Sequence, residues 1–193
     1  MSIFYAGTVC FVKGLSRMND LDALAQENGF SHWGELNMDA LVPLDAVREM
    51  CAADRCGCYG RNWACPPGCG SLKHIAEQLE RCHSGFLVQT TGTLRDDFDI
   101  EAMDAISEAH RVHFLNLARQ ARLLAPDCLP LSAGPCLVCK KCTYPQRTCR
   151  FPAKRISSME AYGLLVSDIC IHSGLQYNYG PKTLTYTSCI LFP

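Results

Sequence analysis

The sequence lacks a surplus of either charge, because 18 basic and 19 acidic residues leave a net charge of −1 at pH 7. Proteins bind phosphate backbones with basic residues concentrated on one face, so this balance gives no reason to expect a nucleic-acid partner. No hydrophobic run approaches the roughly 20 residues of a membrane-spanning helix, so no membrane is expected. A phosphate-binding glycine loop, a nucleophile elbow and an HExxH motif are also missing, and those classes of enzyme therefore have no support.

The N-terminal residues 1–17 contain a short apolar stretch with neither a basic region ahead of it nor a clear cleavage site. We therefore expect no secretory signal and predict a cytoplasmic protein. We expect this segment to form either an edge strand or an extension that precedes a translation start at Met18. With 193 residues, 48 % of them hydrophobic, the chain is long enough for one core, and we predict a single metal-binding domain over residues 1–193.

Cysteine is the residue type in excess, with 14 in the chain. In a reducing cytosol, clustered cysteines usually bind metal or do redox chemistry. Cys136, Cys139 and Cys142 follow one another at two-residue spacing, and Cys149 lies seven residues further on. Ferredoxin runs supply three thiolates at this spacing and a fourth that is often followed by proline. The loop 136–149 therefore predicts a [4Fe–4S] cluster, although its last gap is longer than in the bacterial ferredoxin run.

Tetrahedral zinc is the main alternative metal for this run. Zinc is usually held by two separate CxxC or CxxH pairs, and three cysteines in register do not divide into two such pairs. A zinc site would have to combine the pair Cys136 and Cys139 with the looser pair Cys142 and Cys149. A disulfide framework is a third possibility, which a reducing compartment disfavours.

A second group of five cysteines lies within residues 51–69, in a loop rich in glycine and proline. Such a loop cannot form a continuous helix and can fold around a bound object. Cys65 precedes proline, which is the step that closes ferredoxin-type runs. Cys56 and Cys58 are separated by one residue and would crowd one cluster. We therefore predict a second [4Fe–4S] cluster held by Cys51, Cys56, Cys65 and Cys69; in the alternative, three bind and the others are buried thiols.

Hydrophobic spacing predicts helices and strands without a regular βαβ repeat, so we predict an α+β fold with a mixed sheet, packed helices and two cluster-binding loops. The clearest element is a helix over Asp99–Leu124, with an apolar stripe at three- and four-residue spacing. Other predicted helices cover residues 19–28, 43–50 and 159–172. Predicted strands cover residues 30–41, 85–91, 128–133 and 183–192.

Three stretches of the chain together resemble a known family: VREMCAADRCGCYGRNWACPPGCGSL, GPCLVCKKCTYPQRTCRFPAKRISSMEAYGLLVSD and YNYGPKTLTY. The sequence is similar to an uncharacterised family of cysteine-rich predicted metal-binding proteins common in anaerobes, from about Leu21 to the C-terminus. Cys58 departs from the family pattern, and no reaction is implied. The resemblance implies metal binding through Cys51, Cys56, Cys65, Cys136, Cys139, Cys142 and Cys149, with Cys69 as a further ligand.

Several other residues have two interpretations each. His110 and His113 lie one helical turn apart and could bind a metal, but we expect a hydrogen-bonded histidine of the core or its rim. We expect Cys170 to be a packing residue, although it could replace a ligand. We expect the remaining cysteines to be inert thiols, namely Cys10, Cys82, Cys128 and Cys189.

Residues 140–155 carry six basic side chains and no acidic one. These cations could offset the negative charge of a thiolate-bound cluster, or they could dock an acidic redox partner. The function predicted from the sequence is electron transfer, as a redox accessory to an anaerobic oxidoreductase with a redox partner protein. The alternatives are an enzyme that binds its substrate at an open cluster site and a structural zinc protein.

Overall fold

The computed structural model describes residues 19–193, and the predicted extension 1–17 and Cys10 lie outside the described residues. The described part is α+β, as predicted, with five α-helices and a mixed sheet of five strands. The helices are α1 (19–27), α2 (Asp45–Ala52), α3 (Leu72–Leu79), α4 (Ile100–Leu124) and α5 (Val166–His172). Short 3₁₀ turns cover Met38–Ala40, Pro152–Lys154 and Glu160–Tyr162.

The five strands are β1 (His32–Glu35), β2 (Ser84–Thr93), β3 (Leu129–Ser132), β4 (Ser157–Ser158) and β5 (Thr183–Phe192), in the sheet order β1-β2-β5-β3-β4. β2 and β5 pair antiparallel over their full lengths, from Ser84 opposite Phe192 to Thr93 opposite Thr183. β3 pairs antiparallel with β5 and parallel with β4. The centre of the sheet is therefore one long antiparallel pair of strands that come from distant parts of the chain.

Helices cover both faces of this sheet, because β2 and β5 are apolar on both sides. Phe86 and Ile190 pack with α1 and α4 on one face. Leu87 and Leu191 pack with α3, α5 and the Glu160–Tyr162 turn on the other. Side chains alternate between the faces of a strand, so these neighbouring residues supply two separate cores.

α4 confirms the predicted long helix. The Asp99 carboxylate caps it by accepting a hydrogen bond from the Ala102 amide at 3.3 Å. Hydrogen bonds from the Arg95 side chain and from its backbone amide hold the pKa of Asp99 well below its usual value. Phe114 and Leu117 belong to the buried stripe that packs on the sheet.

His110 on α4 confirms the prediction of a hydrogen-bonded core histidine. The side chain is 2 % exposed, and its ring nitrogens lie 2.9 Å from Thr90 Oγ1 and 2.7 Å from Ser188 Oγ. Burial, with a smaller contribution from His113, lowers the pKa of His110 from 6.5 to about 3. The imidazole is therefore neutral at pH 7 and joins the helix to the two central strands.

Two predicted elements are wrong in part. The helix predicted over 159–172 is interrupted at Gly163, whose φ of +76° ends the Glu160–Tyr162 turn before α5 begins. The strand predicted over 30–41 is shorter, because a 3₁₀ turn at Met38–Ala40 follows β1. In both regions the apolar residues are buried by local turns, which the hydrophobic pattern alone does not distinguish from a longer element.

Helix α3 was not predicted from the sequence. Ser71 caps this helix by accepting a hydrogen bond from the His74 amide at 3.3 Å, and Ile75 and Leu79 are buried. Capping serine and apolar residues at four-residue spacing are the signals that could have predicted it. Among the described residues, no helix is long and apolar enough to cross a membrane.

The first testable prediction concerns the pH dependence that His110 gives to folding. The folded state keeps this imidazole neutral down to about pH 3, whereas the unfolded chain takes up a proton near 6.5. The stability that the neutral imidazole contributes is therefore complete above pH 6.5. Between pH 6.5 and about pH 3 the free energy of unfolding falls by about 1.4 kcal/mol per pH unit. Urea unfolding of wild type and His110→Gln at constant metal content should show this slope only in the wild type.

His74→Gln is the matched control, because His74 is exposed on α3. Its unfolding free energy should follow the wild-type pH dependence. An unchanged slope in His110→Gln would contradict the assignment of a buried, neutral imidazole.

Candidate metal centre

The two cysteine loops, residues 51–69 and 136–149, contact each other directly. Asn62 Nδ2 donates a hydrogen bond to the Cys136 carbonyl at 3.1 Å. The Trp63 amide donates to Cys142 Sγ at 3.4 Å, and its indole Nε1 donates to the Arg147 carbonyl at 3.0 Å. Two segments more than 70 residues apart in the chain therefore form one site.

Aromatic side chains also pack between the two loops. The rings of Trp63 and Tyr144 meet edge to face, with centroids 4.8 Å apart and planes at 86°. Gly68 lies against Tyr144 and the backbone of Asn62, where a β-carbon would come within 2.6 Å of the Asn62 carbonyl oxygen and 2.9 Å of the Tyr144 ring. A larger residue at position 68 would push the first loop away from the second.

A cavity of about 550 Å³ lies within this contact, and all four predicted ligands of the second loop line it: Cys136, Cys139, Cys142 and Cys149. Cys58 of the first loop also lines this cavity. The four thiols of one run therefore border one space.

Charged residues around this cavity are all basic, namely Arg61, Lys140, Lys141 and Arg155. Arg61 is paired with Asp54 at 3.3 Å, and the Arg150 side chain donates to the Lys141 carbonyl at 3.0 Å. Exposed apolar side chains lie among these cations, with Leu137 63 % and Phe151 44 % exposed. The rim of the cavity is therefore cationic and partly apolar.

Three cysteines of the first loop line a separate cavity of about 360 Å³: Cys51, Cys56 and Cys65. Burial, together with smaller contributions from the charges of the other four thiols of this loop, raises the pKa of Cys65 to about 12. Cys65 is 8 % exposed. Cys65 therefore lies within electrostatic range of the other four thiols of the loop.

Cys58 belongs to the first loop but lies close to thiols of both loops. Burial raises the pKa of its thiol, and the neighbouring Cys56 raises it further, whereas a hydrogen bond with Cys65 lowers it. Cys58 lines the cavity of the second loop, while Cys56 and Cys65 line that of the first. Cys58 was not among the ligands predicted from the sequence, because it is separated from Cys56 by only one residue and departs from the family pattern.

Cys69 borders neither cavity. Its Sγ accepts a hydrogen bond from Arg48 Nη1 at 3.3 Å and lies 3.4 Å from the Ala161 carbonyl oxygen. Arg48 also donates to the carbonyls of Ala161 and Gly70, at 2.5 and 2.7 Å. Burial raises the pKa of the Cys69 thiol, and the Arg48 guanidinium partly offsets this effect.

The donor set fits a metal that prefers sulfur ligands, since free thiols from both loops border the two cavities. Within residues 19–193, no group of three or more His, Cys, Asp or Glu side chains is close enough together to hold a single metal ion. The nine cysteines of the two loops are free thiols.

The remaining cysteines of residues 19–193 lie away from these cavities. Cys170 is fully buried and lies 3.4 Å from Gln89 Nε2, which fits the predicted packing role. Cys189 is also fully buried in the core, and burial raises the pKa of its thiol strongly. Cys128 packs in the core beside α4, and Cys82 is partly buried against the other face of the sheet.

A family model described as "Predicted metal-binding protein (DUF2284)" matches residues 34–192. This range includes both cysteine loops and all the strands after β1. No curated protein and no solved structure matches the chain significantly.

The second testable prediction concerns the contact between the loops. Gly68→Ala places a β-carbon against the Asn62 carbonyl and the Tyr144 ring, and overpacking of this kind costs about 1–3 kcal/mol. We expect a lower unfolding midpoint and less bound metal per chain, measured by thermal unfolding and by elemental analysis.

Gly34→Ala is the matched control, because a β-carbon at position 34 meets nothing within 4 Å. This variant should keep the wild-type metal content and midpoint. Equal metal content in Gly68→Ala and wild type would show that close approach of the loops is not needed for binding.

Proposed function

Because the chain belongs to this family of predicted metal-binding proteins, we propose that its two cysteine loops hold two [4Fe–4S] clusters for one-electron transfer. The observation that carries the proposal is the cavity of about 550 Å³ bordered by the four thiols of the second loop. Four thiolates are the ligand set of such a cluster, and the CxxCxxC spacing is that of ferredoxins. Bound in these loops, the clusters would supply reversible one-electron chemistry.

In the second loop the ligands are Cys136, Cys139, Cys142 and Cys149. The Trp63 amide donates a hydrogen bond to Cys142 Sγ, and such contacts to ligand sulfur raise a reduction potential. The lysines and arginines at the rim act in the same direction, since they favour the more negative, reduced state.

In the first loop the ligands are Cys51, Cys56 and Cys65, with Cys69 as the fourth. The Arg48 guanidinium would stabilise the Cys69 thiolate at 3.3 Å. Cys58 is the alternative fourth ligand, because it adjoins both Cys56 and Cys65.

The partner in this proposal is an acidic redox protein of the cytoplasm. The basic residues from Lys140 to Arg155 are exposed next to the thiol-lined cavity, and Leu137 and Phe151 provide apolar area among them. Complementary charge speeds the encounter of two proteins, while a small apolar area stabilises the docked complex.

An enzyme with a substrate site beside one cluster is the second candidate function. It is favoured by one observation, a third cavity that shares Cys136, Leu137 and Val138 with the cavity of about 550 Å³. In that case one cluster would have three cysteine ligands and an iron open to substrate.

The third testable prediction is the metal content of protein purified without oxygen. We expect about eight iron atoms and eight acid-labile sulfides per chain, with visible absorption that dithionite bleaches. Electron paramagnetic resonance of the reduced protein at low temperature should show the clusters. Colourless protein loaded with zinc, and without labile sulfide, would overturn the proposal in favour of a structural zinc site.

The fourth testable prediction separates the roles of individual thiols. Cys149→Ala should lose about four iron atoms per chain if each loop holds its own cluster, and iron from both sites if ligands are shared. Cys69→Ala should lose the iron of the first loop and Cys58→Ala should retain it, if Cys69 is the fourth ligand. The reverse result would assign Cys58.

Cys82→Ala is the matched control, because Cys82 lies in neither loop and its Sγ contacts the Gln78 carbonyl at 3.6 Å. It should retain the full iron content. Circular dichroism of each variant would separate loss of ligands from loss of fold. Full iron content in Cys149→Ala, with the fold intact, would contradict the ligand set of the second loop.

A further inference from the structure

A third cavity, of about 320 Å³, lies between α4, β3 and β5, behind the second cysteine loop. It adjoins the cavity of about 550 Å³ that the second loop borders. Three consecutive residues border both cavities: Cys136, Leu137 and Val138. Its volume is near the lower end of the range for small-molecule sites, about 300–1,000 Å³.

The walls of this cavity are mainly apolar. Phe114 and Leu115 of α4 form one side, and Ile156 and Tyr186 border it from the sheet and the chain before β4. Leu115 is 39 % exposed, which places it toward the opening, whereas Phe114 is almost fully buried. An apolar body would therefore be enclosed between helix and sheet, as in most ligand sites.

One buried polar group borders the cavity with hydrogen-bonding capacity to spare. Ser188 is fully buried; its hydroxyl accepts a hydrogen bond from the Ala133 amide at 2.9 Å and shares one with His110 Nε2 at 2.7 Å. A hydroxyl has one proton and two lone pairs. In either tautomer of His110, the contacts with Ala133 and His110 use two of these three positions.

The charged residues that border the cavity are both basic, namely Arg111 and Lys154. Arg111 is engaged by the Glu108 carboxylate, with Nε donating to Oε2 at 2.7 Å. The Lys154 ammonium lies 5.7 Å from the Phe151 ring centroid. Lys154 therefore supplies the positive charge that is available to a ligand at the opening.

We propose that this cavity binds a small apolar molecule with one carboxylate group. The ring or chain of the ligand lies among Phe114, Leu115 and Tyr186, and its carboxylate lies toward Lys154. Ser188 lies at the buried end of the cavity. Cys136 borders this cavity, but none of the proposed contacts with the ligand involves its thiol, so the proposal does not depend on which metal the two loops hold.

The fifth testable prediction is binding of 2-naphthoate, measured by calorimetry on the full chain with its native metal content. We expect one site per chain, and weaker binding of the neutral 2-naphthalenemethanol. Leu115→Trp fills the opening and should weaken 2-naphthoate binding by at least about tenfold, or 1.4 kcal/mol. Leu123→Trp is the control on the same helix, since Leu123 is 82 % exposed and outside the cavity, and it should bind as wild type.

Lys154→Met tests the charge separately and keeps most of the side-chain volume. It should weaken 2-naphthoate by about threefold to tenfold and leave the neutral alcohol unchanged. Lys73→Met on α3, an exposed lysine outside the cavity, should have no effect. The proposal fails if 2-naphthoate does not bind at 1:1 stoichiometry, or if Lys154→Met weakens both probes equally. Wild-type affinity in Leu115→Trp would place the binding elsewhere and would also overturn it.

Discussion

Three hydrogen bonds from the neighbouring residues Asn62 and Trp63 join the two cysteine loops, and the rest of the candidate site depends on them. Neither loop contains a helix or strand between its first and last thiol, apart from the end of α2 at Cys51 and Ala52. Loops of this kind gain little from regular backbone hydrogen bonds, so contacts with each other and with the sheet must hold them. Gly68 permits that contact, because it leaves room for the Asn62 carbonyl and the Tyr144 ring.

Electrostatics at the site oppose bare thiolates and favour a bound cation. Burial raises the pKa of Cys51 and Cys65, and charge on neighbouring thiols raises both further. Metal ligands must be deprotonated, so binding has to displace these protons. Basic side chains border the larger cavity, and Arg48 contacts Cys69, so positive charge is available where the sulfur ligands concentrate. In the proposal, the basic rim therefore offsets part of the negative charge of the thiolate-bound clusters.

The fold around the loops follows from ordinary amphipathic elements. The long helix α4 and the strands β2 and β5 were predicted from the sequence, since their apolar residues recur at helical spacing or form continuous buried runs. α3 was missed although Ser71, Ile75 and Leu79 carry the cap and the spacing. The helix predicted over 159–172 was too long, because Gly163 adopts a left-handed conformation that a hydrophobic pattern does not encode.

The sequence by itself determined the chemistry of the candidate site: fourteen cysteines, two clusters of them and a spacing typical of sulfur-ligated metal. It also determined the α+β class, through the mixture of helical and strand patterns. Only the tertiary structure decided which thiols face each other, with Cys58 between the loops and Cys69 against Arg48. Glycine- and proline-rich loops have no repeating geometry, so the directions of their side chains depend on contacts with distant residues. The cavity beside His110 and Ser188 was likewise invisible in the sequence, because α4, β3 and β5 form it only when the chain is folded.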